Sequence, residues 1–337
     1  LVFVEGLLAQ RLTEEYRSPE KRAFYGILPE SMSHEGYMAH PVHAYWDDFW
    51  ALRGFRDAAA MAEVLGDCAE AERLGGLRDR FSENLRASLC AAISRHAIDY
   101  VPGSAELGDF DPAATSVALS PLDQLSVLPR SEIDRTFDKY MAGFRQRCSG
   151  TVEWSNYSAY EIRIIGALVR LGRREEALEL TRFMLDDRRI PAWNQWPEIS
   201  WRDPGSPSFL GDLPHAWISG EYILAIRSLF VYERDEDDSL VVAAGVDPAW
   251  LKDGFAVEVG RLPTHHGNLS YRMRLEDAET LRISLDGDLE VPGGGVVVRP
   301  PLSGPIREVE LNGRPLTAFS AEGFTCRQCP CEAVVKA

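Results

Sequence analysis

The sequence has no run approaching the ~18–20 consecutive apolar residues of a membrane-spanning helix, so no such span is expected. It is also short of positive charge: 36 Lys and Arg stand against 52 Asp and Glu, a net charge of −16. A polyanion binder needs the opposite balance, so neither nucleic acid nor an anionic membrane surface is expected as a partner. Six cysteines in 337 residues are too few for a disulfide scaffold. Cys68, Cys90 and Cys148 stand alone in helical stretches, where buried thiols are expected. Cys326, Cys329 and Cys331 cluster without the accompanying His or Cys pair that a zinc site requires. No signal peptide is visible, and the chain opens without Met on the apolar run Leu1 to Val4. That start points to an upstream part that is missing, and localisation is left open.

What is present is a globular composition, 45% hydrophobic and 26% charged, in a chain long enough for two domains. Apolar spacing and stop signals predict eight helices, over residues 1–17, 45–65, 68–90, 111–124, 131–147, 156–171, 173–186 and 215–232. Asp111 before Pro112, and Ser131 before Glu132, read as helix starts. Short and long connections alternate, which brings the long ones to one end of an antiparallel helical array. Long structureless loops in a compact domain are usually functional. After an acidic run, Glu233 to Asp238, read as a surface linker, the pattern changes to short alternating strands near 255–259, 269–273, 281–285, 296–298 and 309–311. Asp286-Gly287, Gly293 to Gly295 and Asn312-Gly313 separate several of them, the signature of an antiparallel β-sandwich. The predicted division is a helical domain over 1–235 and an accessory β-sandwich over 236–337.

Seven of the eight tryptophans precede residue 235, and most lie in or beside the long loops. Indole faces suit the apolar faces of pyranose rings, and carboxylates suit their hydroxyls and the chemistry of their bonds. In the first loop Trp46 precedes Asp47 and Asp48 at a helix start, where N-capping accounts for one acid and not for two. Glu35 and three histidines, His34, His40 and His43, stand nearby; their spacing matches no familiar zinc pattern, and hydrogen bonding to substrate or loop backbone is expected instead. A third loop carries Glu153, Trp154 and Tyr157. The fourth places Glu198 among Trp193, Trp196 and Trp201, and ends on His215 and Trp217. A carboxyl among aromatic surfaces is suited to acid or base work. Glycoside hydrolysis needs two such groups, one to protonate the leaving oxygen and one to activate water or attack carbon.

On these residues the chain resembles the six-hairpin glycosidases: trehalases, processing-type glucosidases, α-L-rhamnosidases and glucoamylases. The resemblance covers about residues 20–235. Trp46-Asp47-Asp48 resembles the stretch in the trehalase and processing-glucosidase group whose first Asp after the aromatic is the general acid, with Tyr45 replacing a glycine. Glu198 resembles the general base ahead of the final inner helix, and residues 209–222 resemble that helix. The resemblance implies an (α/α) six-hairpin barrel lacking its first hairpins, followed by the sandwich. It also implies an inverting mechanism with Asp47 as acid and Glu198 as base, and Glu35 and Glu153 as reserves. Trp46, Trp154, Trp196 and Trp201 would stack on an oligosaccharide or glycoside, Asp48 and His215 would contact hydroxyls, Glu35 and Tyr157 complete the substrate-binding set, and no metal or organic cofactor is called for.

Three rivals are consistent with the same residues. A polysaccharide lyase would use Tyr157 or His215 as base, although the acidic balance disfavours an acidic polymer. An inactive carbohydrate-binding protein would bind sugars without turnover. A phosphorylase would need basic loop residues, for which Arg202 is the one candidate. Oligomeric state is not legible.

Overall fold

The computed structural model describes residues 1–337, except for the side chain of Glu35. The chain forms two compact units, Leu1–Tyr157 and Ser158–Ala337. The compositional change near residue 235 falls inside the second unit, which holds both helices and sheets. Among the described residues no helix is long and apolar enough to cross a membrane.

The first unit is helical. α1 (Val2–Ala9) is shorter than predicted, because the chain turns extended at Thr13 and continues as a 3-10 turn over Glu14–Arg17. α2 (Tyr45–Val64) and α3 (Cys68–His96) form an antiparallel pair whose buried residues recur at helical spacing. Phe49, Leu52, Phe55 and Ala59 face Leu74, Phe81 and Leu85, with the Phe55 and Phe81 rings edge-on at 5.9 Å. The Asp67 side chain caps α3 by accepting from the Glu70 N–H. The Asp111 cap also forms, with Pro112 at the first position, but α4 (Pro112–Ser116) has only five residues. Tighter i→i+3 bonds take over at Val117 to Leu119, and Pro121 has no N–H to continue a helix. α5 (Arg130–Ser149) starts one residue before the expected Ser131 cap and ends on Gly150, which is left-handed at φ 71°.

β1 (Asn156–Ser158) is extended where a helix was predicted. The helical path begins only after Ser158, as a 3-10 turn over Ala159–Arg163 that leads into α6 (Ile164–Arg170). α7 (Arg174–Asp186) follows as predicted. The long stretch after it holds β2 (Ile199–Trp201), and α8 (Ala216–Phe230) closes the helical part.

The rest of the second unit is two sheets around one apolar core. A four-stranded sheet is built from β3 (Val231–Arg234), β4 (Ser239–Val242), β8 (Gly295–Val298) and β11 (Phe324–Cys326), in the order β11-β8-β4-β3. A six-stranded sheet is built from β5 (Ala256–Thr264), β6 (Gly267–Leu275), β7 (Thr280–Leu289), β9 (Glu308–Leu311), β10 (Arg314–Pro315) and β12 (Cys331–Lys336), in the order β10-β9-β12-β7-β6-β5. Alternating residues from both, including Val242, Val298, Leu269 and Ile283, fill the shared interior. Two expectations are corrected here. The acidic run is the turn of a hairpin, with Arg234 paired to Ser239, and not a linker. One strand pair, β4 with β8, is parallel, so the sheets are not wholly antiparallel. The three isolated cysteines are also corrected: Cys68, Cys90 and Cys148 are exposed, on the outer faces of their helices.

Candidate functional site

In the first unit the loop before α2 is pinned at two points, by a bridge between Ser31 and Val42 and another between Ala44 and Ser104. This fixes the first turn of α2 against its own loop. The Asp47 carboxylate accepts from the Ser31 hydroxyl at 2.6 Å and from the Ser33 hydroxyl at 2.9 Å, and it is only partly buried. Trp46 lies beside it, 6.1 Å from Trp50 and 6.0 Å from His34 by ring centroids. His34 also packs on Tyr37 and stands 3.7 Å from an Asp111 oxygen.

Asp48 has a different place from the one expected. It is fully buried and accepts from the Leu28 N–H at 2.8 Å, so it is a strut of the α2 start and offers nothing to a substrate hydroxyl. His43 is likewise structural: its ring is bound by Glu106 and Arg11 and stacked on Phe24. Tyr37 donates to Asp109 at 2.6 Å, and burial together with that carboxylate pushes its phenol far up. The Glu35 side chain lies outside the described residues.

The third loop keeps Trp154 partly exposed, edge-on to Tyr157 at 5.9 Å. Glu153 is exposed. Tyr157 is buried to 4% exposure with the Arg147 guanidinium 4.6 Å over its ring, which removes it as a lyase base or a substrate contact: its ring is covered.

In the second unit, Glu198, Asp212 and His215 come together, each offering one ligand-type atom within 4.8 Å of the others. Asp212 organises the group. One of its oxygens accepts the Glu198 backbone N–H at 2.9 Å, and the other meets His215 Nδ1. Burial alone would raise the Asp212 carboxyl, but the backbone bonds and the imidazole outweigh it and hold it below the usual carboxylate range. On the far side His215 Nε2 is 3.2 Å from the Tyr160 hydroxyl. The Tyr160 ring is held between Arg163, 4.5 Å over its face, and Trp217, edge-on at 5.3 Å. Trp217 is half exposed, at 51%, and its indole N–H donates to Glu221. No hydrogen bond from the described residues reaches the Glu198 carboxylate itself, which is partly exposed.

Trp196 is corrected. It is 1% exposed, donates its indole N–H to the Met184 carbonyl at 2.9 Å and packs on Tyr222. A ring enclosed in this way has no face to stack on a sugar. Trp201 remains partly exposed at the end of β2. Sequence reasoning missed Asp212, Tyr160 and Trp217 as site residues. The signal for Asp212 was its place three residues before His215, at the start of α8. Nothing in the local pattern marked Tyr160, which lies 55 residues from His215.

No protein-family model and no curated protein sequence matches the chain. Among solved structures, an α-L-rhamnosidase from Dictyoglumus thermophilum is distantly similar, at 11% identity and a TM-score of 0.45, over 97% of this chain and 37% of that one. The chain thus spans little more than a third of that protein's length.

Proposed function

We propose that the protein acts on carbohydrates as a glycoside hydrolase, with Glu198 as the general base and Asp47 as the general acid of an inverting mechanism. The observation that carries this reading is the surroundings of Glu198. Among the described residues its carboxylate has no hydrogen-bond partner, its backbone is anchored by Asp212, and near it stands the His215 imidazole, which meets Tyr160, against whose ring the half-exposed indole of Trp217 packs edge-on. A carboxylate held by its backbone and open to solvent is what water activation requires. Asp47 is argued separately from its own unit. Of the two adjacent acids it is the one not buried, and two serine hydroxyls orient it next to Trp46. The helix pairs α2–α3 and α6–α7 are, in this reading, hairpins of an (α/α) toroid, and the two-sheet region is an accessory domain.

The test is turnover of a panel of aryl α- and β-glycosides, with proton NMR of the first-formed anomer. Inversion is expected, and Glu198→Gln should lower kcat by about 10³-fold or more while sugar binding persists. Near-normal turnover in that variant would remove Glu198 as the base. Sugar binding without turnover by the unaltered chain would establish the inactive-binder reading instead.

A further inference from the structure

The Glu198, Asp212 and His215 group supports a second inference, which stands whether or not the chain cleaves glycosides. We propose that these three residues bind a divalent first-row cation of the manganese or zinc class. Two carboxylate oxygens and one imidazole nitrogen, all within 4.8 Å, make a mixed oxygen–nitrogen donor set. Such a set suits these ions better than calcium or magnesium, which prefer oxygen throughout. Three protein ligands also leave coordination positions open to water or a sugar hydroxyl.

The group differs from a chance cluster of surface acids in how each donor is prepared. His215 Nδ1 is paired with an Asp212 oxygen and Tyr160 meets Nε2, so a cation entering the group takes the place of the Nδ1 proton while the ring proton is carried on Nε2, facing the Tyr160 oxygen. An outer partner on the second imidazole nitrogen is the usual arrangement for a ligating histidine. Asp212 is fixed through one oxygen by the Glu198 N–H, and its other oxygen, paired with His215 Nδ1, turns to the ion when the Nδ1 proton leaves. Glu198 brings a carboxylate with no hydrogen-bond partner among the described residues. Tyr160 is in turn held by Arg163 and Trp217, so the outer partner is itself fixed.

Binding is measured on the full chain with Mn2+, by loss of the free-ion EPR signal. Mn2+ is used because Cys326, Cys329 and Cys331 would compete for the softer zinc. One ion per chain should bind, with saturation below about 1 mM. His215→Ala and Asp212→Asn should each weaken it at least about tenfold, whereas Asp203→Asn, in the same loop, should leave it unchanged. Selective Mn2+ broadening of the His215 imidazole NMR signals in the unaltered protein tests the same site without any substitution. No saturable uptake, or uptake unaffected by His215→Ala with no broadening at His215, would overturn the site. The two proposals fail separately. Absence of turnover in metal-free protein counts against the hydrolase alone, and absence of Mn2+ uptake counts against the cation site alone. If both hold, Mn2+ engages the proposed base and should inhibit turnover.

Discussion

Asp47 and Asp48 are neighbours on the first turn of α2, yet their carboxyls meet opposite surroundings. Asp47 is partly exposed and takes two serine hydroxyls, whereas Asp48 is fully buried, with one oxygen on the Leu28 N–H and the other without a partner. Adjacent helical residues point about 100° apart, so one start of a helix can hold both an accessible acid and a buried one.

The buried member has a consequence for stability against pH. Burial pushes the Asp48 carboxyl well above its usual value; the Leu28 N–H opposes this and the Asp47 charge adds to it. A carboxyl raised in the folded state keeps its proton where the unfolded chain has lost it. Its contribution to stability is complete below the unfolded value of about 3.9 and is lost as pH rises through the folded value. Asp48→Asn should therefore match the unaltered protein near pH 4 and be the more stable of the two at pH 8, by thermal unfolding. Equal melting temperatures at both pH values would show that the carboxyl carries no such burden.

Glu233 should do the reverse. Burial would raise its carboxyl, but the two Arg227 hydrogen bonds, at 2.7 and 2.9 Å, outweigh that and hold it at about 2. A depressed carboxyl stabilises the fold above its unfolded value of about 4.3, and the contribution is lost as pH falls towards 2. After allowance for partial exposure this amounts to about 2 kcal/mol. Glu233→Gln should lose about that much at pH 7 and show a flatter acid limb between pH 4.5 and 2 in urea unfolding. An unchanged acid limb would separate the pair from acid stability.

Much of this architecture was legible because periodicity is a local signal. α2, α3, α5, α7 and α8 stand close to their predicted spans, and five strands lie where alternation placed them. The failures have physical causes of their own. The predicted helix at 111–124 was cut to five residues by i→i+3 turns ahead of Pro121. β3 and β4 were hidden because the hairpin turn between them is acidic and resembles a linker. Asp47, Glu198 and His215 were visible as chemistry-bearing residues in long loops. Burial was not: nothing in the order Trp193, Trp196, Trp201 says that the middle indole turns inward and the outer two do not.

The ion pair between Arg163 and Glu221 is buried on both sides, at 5% and 11% side-chain exposure, with a contact of 2.7 Å. Removing one member of such a pair leaves the other charge desolvated and costs about 3–5 kcal/mol. Glu221→Gln should destabilise the protein by that order in urea unfolding, because Arg163 supports the Tyr160 ring as well. A loss below about 1 kcal/mol would show that water reaches the guanidinium once the carboxylate is gone.

Trp196 and Trp217 allow packing to be separated from recognition. Both belong to the second unit and both indole N–H groups are satisfied, by the Met184 carbonyl and by Glu221. They differ in exposure, 1% against 51%. Trp196→Ala removes a fully enclosed ring and should cost about 3–5 kcal/mol in urea unfolding. The sugar affinity of the protein that remains folded should stay near normal, since the ring had no free face. Trp217→Ala loses one indole hydrogen bond and should cost only about 1 kcal/mol. If the exposed indole is a stacking surface, this variant should bind sugar about tenfold more weakly, a difference of about 1.4 kcal/mol. Calorimetry with a disaccharide panel alongside the unfolding series reads both quantities. Unchanged sugar affinity in Trp217→Ala would remove this indole as a stacking surface, and the indoles of Trp193 and Trp201 would be the next to replace.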